Sequence, residues 1–497
     1  MKRAGALLAL LAAGCANMEP TLGRLDPAIP ASWPVGSPYL AQSEAALPAV
    51  TYKQIFTDPR LQTLIGEALL NNRDLMIAAS NIAAAREQYR IQRAQQLPQL
   101  NTNSGVSLSG ERSDSSSNSG SNSSGSKNVA ASYTAGLSVP SFDIDLFGRL
   151  RSLTRAQFEQ YLATEAGARA TRLTLVGSIA NAWLSYASDS SLLLIAQETL
   201  KNAQESVRIT RLRLEGGIAP RLDLDQAQLI LAQAQQDVAR QTTFVAQDIN
   251  ALQLLVGAPI APALLPRSID DAAPTIAELP AGINSYVLLR RPDVLQAEYQ
   301  LRAANADIGA ARAALFPKIT LTGLLGFASS ALASLFTGGA FGWSAAANGA
   351  YTIFQGGAGH ANVRLTEAER NAALAKYQRA VQTAFREVSD ALARRATMDD
   401  QLAAAQRQQA AAADNYLLAE ARYRAGVDPF LNVLVAQRSY YSAQTALVQT
   451  KLTAAGNRVD LYQSLGGDSL LQAAPLCPVN YVSGTKGATL TTQCPPG

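Results

Sequence analysis

Few residues in this chain could do covalent chemistry. In 497 residues there are three cysteines and one histidine. Cys15 follows Leu11-Ala12-Ala13-Gly14, behind Lys2, Arg3 and the apolar stretch from Ala4 to Leu11. A charged start, a short apolar run and small residues ahead of a cysteine let a peptidase reach the backbone there. They predict a lipoprotein signal peptide over 1–14, with Cys15 as the acylated first residue of the mature chain. Ala12 stands where leucine is usual, so an ordinary signal peptide with an incidental cysteine is the alternative reading. Several acyl chains on one cysteine anchor firmly, since each buried CH₂ contributes about 0.8 kcal/mol. Cys477 and Cys494 lie 17 apart in a Pro/Gly-rich end. In an exported chain they predict a disulfide clipping that end, with two free thiols as the alternative. His360 sits in a Gly-rich stretch without a second metal ligand at suitable spacing. Phosphate loop, nucleophile elbow and metal cluster are all missing from the sequence. The expectation is a protein that is not an enzyme and needs neither metal nor cofactor.

The remaining chemistry is non-covalent, so the question becomes what the long elements build. Hydrophobic residues make up 48% and charged residues 16%, which argues against disorder over most of the chain. A net charge of +4 is spread thinly, and no basic cluster with interleaved aromatics appears, so nucleic acid is not an expected partner.

The chain is written twice. Asp74 to Pro98 aligns without gaps on Asp293 to Pro317, sharing Asp74/Asp293, Ala85/Ala304, Arg93/Arg312 and Pro98/Pro317 at an offset of 219. Arg213 to Gly257 aligns on Arg422 to Gly466 at an offset of 209, with 11 identities in 45 positions. Spaced Arg, Gly, Pro and Leu matches do not arise from shared alanine richness, so this is a tandem duplication. The first copy carries ten more residues between the aligned blocks, and its Ser113 to Ser126 tract has no counterpart. So polar a tract predicts a loop.

Within each copy the hydrophobic period changes. Val129, Ala131, Tyr133, Ala135, Leu137 and Val139 alternate with small or polar residues, and Val106 and Leu108 do so more weakly. The second copy repeats this with Ile319, Leu321, Leu325 and Phe327, then Phe341, Trp343, Ala345, Ala347, Tyr351 and Ile353. Ile319 to Gly359 is uncharged, and a transmembrane helix competes there. Glycine spacing and alternation favour barrel strands. Four strands cannot close around a lumen, and open edges cannot face lipid, so the chain must oligomerise to close its sheet.

Long helices are predicted over about 149–215 and 361–424, each reaching roughly 100 Å at 1.5 Å per residue. Leu402, Ala405, Gln409, Ala412, Tyr416, Ala419 and Tyr423 step three, four, three, four, as in a coiled-coil seam. The organisation read from these signals is a signal peptide over 1–14 and an anchored segment over 15–57. A first helix–strand–strand–helix repeat covers 58–257, a linker 258–285, a second repeat 286–467 and a tail 468–497.

This plan, with Phe142-Asp143-Ile144-Asp145-Leu146-Phe147-Gly148-Arg149, Arg290-Arg291-Pro292-Asp293, Phe316-Pro317 and Arg422 to Pro429, resembles the TolC/OprM family of outer-membrane efflux proteins, closest to its lipoprotein branch. Ala16 after Cys15 likewise resembles lipoproteins sorted to the outer membrane. The resemblance implies an α+β membrane protein: a homotrimer closing a twelve-stranded β-barrel in the outer membrane and an α-helical barrel in the periplasm of a Gram-negative bacterium. It implies a passive exit duct for drugs or small toxic compounds, partnered by a periplasmic adaptor protein and an inner-membrane pump. Exit from a protein-secretion or metal-efflux system is a neighbouring reading. A lipid-tethered coiled-coil scaffold is a reading from another class. The resemblance assigns adaptor contact to two hairpin tips, Arg213, Gly217 and Pro220 and then Arg422, Gly426 and Pro429, although turn formation alone also accounts for these residues. It assigns the pore gate to Leu431, Asn432 and Val435. Relatives carry acidic residues at the last two of these positions, so the resemblance here implies a polar and apolar plug.

Overall fold

The computed structural model describes residues 18–23, 30, 51–111, 128–278, 285–467, 479–484 and 487–492. Cys15, Cys477, Cys494 and the Ser113–Ser126 tract lie outside them. The chain divides into two compact units, one of Met1–Leu25, Ala84–Leu162 and Tyr299–Ala375, the other of Asp26–Ala83, Ala163–Glu298 and Lys376–Gly497.

In chain order the helices are α1 (Tyr52–Ile55), α2 (Pro59–Asn71), α3 (Arg73–Ala94), α4 (Arg149–Glu215), α5 (Arg221–Val256), α6 (Ile269–Ala272), α7 (Pro292–Ala313), α8 (Ala358–Arg424) and α9 (Phe430–Ser464). The strands are β1 (Asn101–Glu111), β2 (Asn128–Ile144), β3 (Lys318–Ser329), β4 (Phe341–Ala350), β5 (Val479–Gly484) and β6 (Gly487–Thr492). The duplication is visible in the lengths: α3 and α7 have 22 residues each, α4 and α8 have 67 each, and α5 and α9 have 36 and 35.

The first unit is built on a four-stranded antiparallel sheet in the order β1-β2-β3-β4. Its register sorts the side chains by chemistry. Leu137 faces Leu325, which faces Trp343; Ala135 faces Phe327, which faces Phe341. Directly opposed residues share a face, so these rows and Val106–Tyr133 form one apolar surface. The other face holds Asn103, Ser107, Ser132, Thr134, Thr320, Thr322 and Asn348. A bulge between Val139 and Phe142 takes up Pro140, which has no N–H for a ladder bond. Beyond it Phe142–Leu321 and Ile144–Ile319 remain on the apolar side. Val106, Leu108, Phe341 and Trp343 are exposed, so the described residues leave this face uncovered.

Alternation carried the expected fourth strand through Tyr351 and Ile353, but β4 ends at Ala350. Its last partner is Lys318, and the residue before that is Pro317, which cannot donate to the ladder.

The second unit is helical apart from the β5–β6 hairpin. Its core centres on Trp183, Ile179, Leu184, Leu61, Leu64, Ile65 and Leu252, all fully buried. The segment joining the copies enters this core: Ile269 and Ile276 are buried, and Trp183 donates its indole N–H to the Leu264 carbonyl at 3.2 Å. Isolated bridge pairing of Phe56 with Ile276 fastens it to the start of the first copy. Among the described residues no helix is long and apolar enough to cross a membrane.

Candidate functional site

The two hairpin turns are built alike. Helix α4 ends at Glu215, and Gly217 takes φ 72°; α8 ends at Arg424, and Gly426 takes φ 74°. The Gly217 N–H donates to Leu214 O at 3.0 Å and the Ile218 N–H to Arg213 O at 2.9 Å. Gly426 donates to Tyr423 O at 3.0 Å and Val427 to Arg422 O at 2.9 Å. This paired closure satisfies the last helical carbonyls, and its left-handed residue favours glycine. Pro220 and Pro429 are extended residues directly before α5 and α9, not their first helical residues. Such closures usually bury the apolar residue that follows the glycine. Here Ile218 and Val427 are exposed by 76% and 62%, so both tips present an uncovered apolar side chain.

The equivalent arginines behave differently. Arg422 forks onto Asp428 of its own turn at 2.6 and 3.1 Å, and this pairing holds the Asp428 carboxyl below its usual range. The first tip has Ala219 at the corresponding place. Arg213 instead reaches the other copy. Its guanidinium lies 4.4 Å from the Tyr423 ring centre and donates to Tyr423 O and Arg424 O, each at 3.3 Å. It thus caps the end of α8 across the hairpins. Below it Val207, Ala227, Tyr423, Phe430, Val433 and Leu434 form a buried cluster.

The candidate gate residues share one face of α9. Leu431 and Val435 are exposed by 54% and 56%, and Asn432 and Arg438 are exposed beside them; Val433, Leu434, Ala436 and Gln437 point into the unit. Spacing by four and three residues makes this a stripe along the helix. The matching positions of α5 are Leu222, Asp223, Gln226 and, opposite Arg438, Leu229, and both leucines are also exposed. A cleft of about 580 Å³ between α5 and α9 is lined by Leu229, Ile230, Leu431, Leu434, Val435 and Tyr441. Asp223 lies in the first turn of α5, where the helix dipole favours a carboxylate, yet burial raises its pKa against the opposing pull of Arg213.

One further pair leaves no mark in the sequence. Asp189 of α4 and Asp248 of α5 share a side-chain hydrogen bond; burial, reinforced by the Asp189 charge, pushes Asp248 up to about 7. No local pattern marks two acids 59 residues apart. Among the described residues no group of acids, histidines or cysteines could hold a metal ion.

A family model described as outer membrane efflux protein matches residues 64–258 and 284–467. The probable efflux pump outer membrane protein TtgC of Pseudomonas putida is 40% identical over 464 residues, covering 93% of this chain and 94% of that protein. Outer membrane protein OprJ of Pseudomonas aeruginosa is 39% identical over 463 residues, covering 93% and 95%. The open-state crystal structure of the Neisseria gonorrhoeae MtrE outer membrane channel superposes with a TM-score of 0.80 at 34% identity, covering 91% of this chain and 98% of that one.

Proposed function

We propose a duct, from one premise: this chain belongs to the outer membrane efflux protein family. It is the outer-membrane exit component of an efflux system and not an enzyme. The observation that carries the reading is the sheet, apolar on one face, polar on the other and open at β1 and β4. In hydrocarbon an unpaired strand edge costs several kcal/mol per group, so such a sheet is complete only when edges of further copies close it. A homotrimer gives twelve strands, with the apolar face to lipid and the polar face to a lumen. A periplasmic adaptor then meets the tips at Arg213, Gly217 and Pro220 and at Arg422, Gly426 and Pro429, gripping the uncovered Ile218 and Val427. An inner-membrane pump supplies the cargo. Relatives are named for toluene, antibiotic and solvent efflux, which supports small, largely apolar compounds as the cargo here.

The anchor of this reading is acylated Cys15. The tail carries a Cys477–Cys494 bond. Strands β5 and β6, which pair Val479 with Thr492, lie between the two cysteines in the chain.

The gate is a ring of Leu431 with Asn432 and Val435. Burial of each leucine contributes on the order of 1.5–3 kcal/mol, enough for three to hold a pore shut without an ion pair. Single-channel recording in planar bilayers tests the duct and the gate together. The native protein should conduct in small, mostly closed steps, and Leu431→Ala should raise resting conductance several-fold. Val435→Asp should add cation selectivity. A native protein without channel activity would remove the duct; conductance and selectivity unchanged in both variants would move the gate elsewhere.

A further inference from the structure

Helix α7 carries a glycine in its last turns, where a helix interior disfavours it. The surroundings of Gly309 supply a reason. A Cβ at this position would stand 2.9 Å from the Glu19 Cα, 3.0 Å from the Glu19 nitrogen and 2.8 Å from the Ser152 hydroxyl. The backbone of the N-terminal segment therefore lies directly on the helix. One turn earlier Asn305, 2% exposed, donates its amide to the Pro20 carbonyl at 2.8 Å and to the Glu19 carboxylate at 3.4 Å. Arg155 of α4 approaches the same carboxylate at 3.7 Å. Met18, Glu19, Pro20 and Leu22 are all half-buried.

The duplication provides the control. At the offset of 219 the counterparts of Asn305 and Gly309 are Arg86 and Arg90 of α3. Both are exposed, and Arg90 pairs with the neighbouring Glu87 at 2.7 Å. The same helix face is thus covered by long charged side chains in the first copy. In the second it is cut down to an amide and a bare backbone.

We infer that Asn305 and Gly309 of α7, with Ser152 and Arg155 of α4, form a docking notch for residues 18–23 of the same chain. Backbone contact selects an extended segment, and the Asn305 amide and Arg155 read its carbonyl and carboxylate. The notch lies in the first turns of α4, just after β2 ends at Ile144, and in the last turns of α7, just before β3 begins at Lys318. Its consequence for the membrane rests on the acylation of Cys15 proposed above. Four residues span at most about 14 Å, so docking Glu19 holds the acyl chains at the foot of the sheet.

Hydrogen-exchange mass spectrometry on the mature full-length protein tests this. Peptides covering 18–23 should exchange at least ten-fold more slowly than the same peptide free in solution. Asn305→Leu keeps the shape and removes the donor; Gly309→Arg restores the residue of the first copy. Each should bring the segment to the free rate, with α4, β2 and β3 still protected. Should Gly309→Arg fail to fold, Asn305→Leu decides. Cys15→Ser, exported through an ordinary signal peptide, should keep the protection. Free-peptide rates in the native protein overturn the notch, as does protection that survives Asn305→Leu or vanishes in Cys15→Ser. The mass of the mature N-terminus reports separately on acylation, so an unacylated chain with a protected segment would refute the anchor and leave the notch standing.

Discussion

The two repeats share a backbone almost residue for residue and differ where equivalent side chains meet different neighbours. Asn72 and Arg291 occupy the same place before α3 and α7. Asn72 donates to the Leu255 carbonyl at 2.8 Å; Arg291 donates to the Ser464 carbonyl at 2.6 Å. Leu255 and Ser464 are themselves equivalent at the offset of 209. One bond, tying the start of the short helix to the end of the returning one, has survived duplication with its donor replaced. Arg291 has gained Asp293 and Glu387, both at 2.8 Å. The acid pair Asp189 and Asp248 corresponds to buried Met398 and Asn457. Duplication fixed the geometry, and divergence changed how each fixed contact is made.

The largest effect should come from that shared tie. Arg291→Ala leaves two half-exposed carboxylates and a carbonyl without their donor and should cost about 3 kcal/mol. Asn72→Ala removes the same tie and a cap accepted from the Leu75 N–H, and should cost about 1–2 kcal/mol. Denaturant unfolding of both variants checks the ranking; equal losses would mean that the added ion pairs contribute nothing.

Next comes the acid pair. Unfolded, Asp248 loses its proton near pH 4, as free aspartates do; folded, it keeps the proton to about 7. The folded protein therefore binds the extra proton across that window, and stability should fall as pH rises through it and level off above. Asp248→Asn should flatten the profile and be more stable than the native chain at pH 8, on the order of 1 kcal/mol after screening at this half-buried site. Thermal melts from pH 4 to 8 decide it, and parallel profiles would place the proton elsewhere. Since the second repeat has Met398 and Asn457, mutations there should leave the profile's shape alone.

The tips should give the smallest differences in stability and a clear one in conduction. Arg213→Ala removes a cation–π contact and two helix-end bonds, worth about 1 kcal/mol together, and should loosen the tie between hairpins enough to raise resting conductance. Arg422→Ala removes an exposed pair with Asp428 and should change stability less than Arg213→Ala does. Equal conductance in the two variants would show that the cross-hairpin contact does not hold the closed state.

Legibility in the sequence followed the range of the interaction. The helix over Arg149–Glu215 could be read from its pattern because periodicity is local, and alternation marked all four strands of the sheet for the same reason. The end of β4 depended on Pro317 in a partner strand. The reach of Arg213 depended on Tyr423, 210 residues away, and on the absence of a local carboxylate at Ala219. Turn chemistry at Gly217 and Gly426 was visible; the exposure of Ile218 and Val427 was not, because an apolar residue after such a glycine usually finds cover.

The equal lengths of α4 and α8 set a limit on what evolution can edit here. Across both helices and both turns the offset between repeats stays at 209, and the ten-residue difference falls wholly in the strand region. A single residue deleted from one long helix would draw its tip back by about 1.5 Å and rotate every later side chain by about 100°. Arg213 would then miss Tyr423, and Leu222 would leave the stripe it shares with Leu431. The pair works as a vernier, two scales that must keep the same number of marks. The ten extra residues of the first copy are thus accommodated in the strand region, while both rods keep the same length.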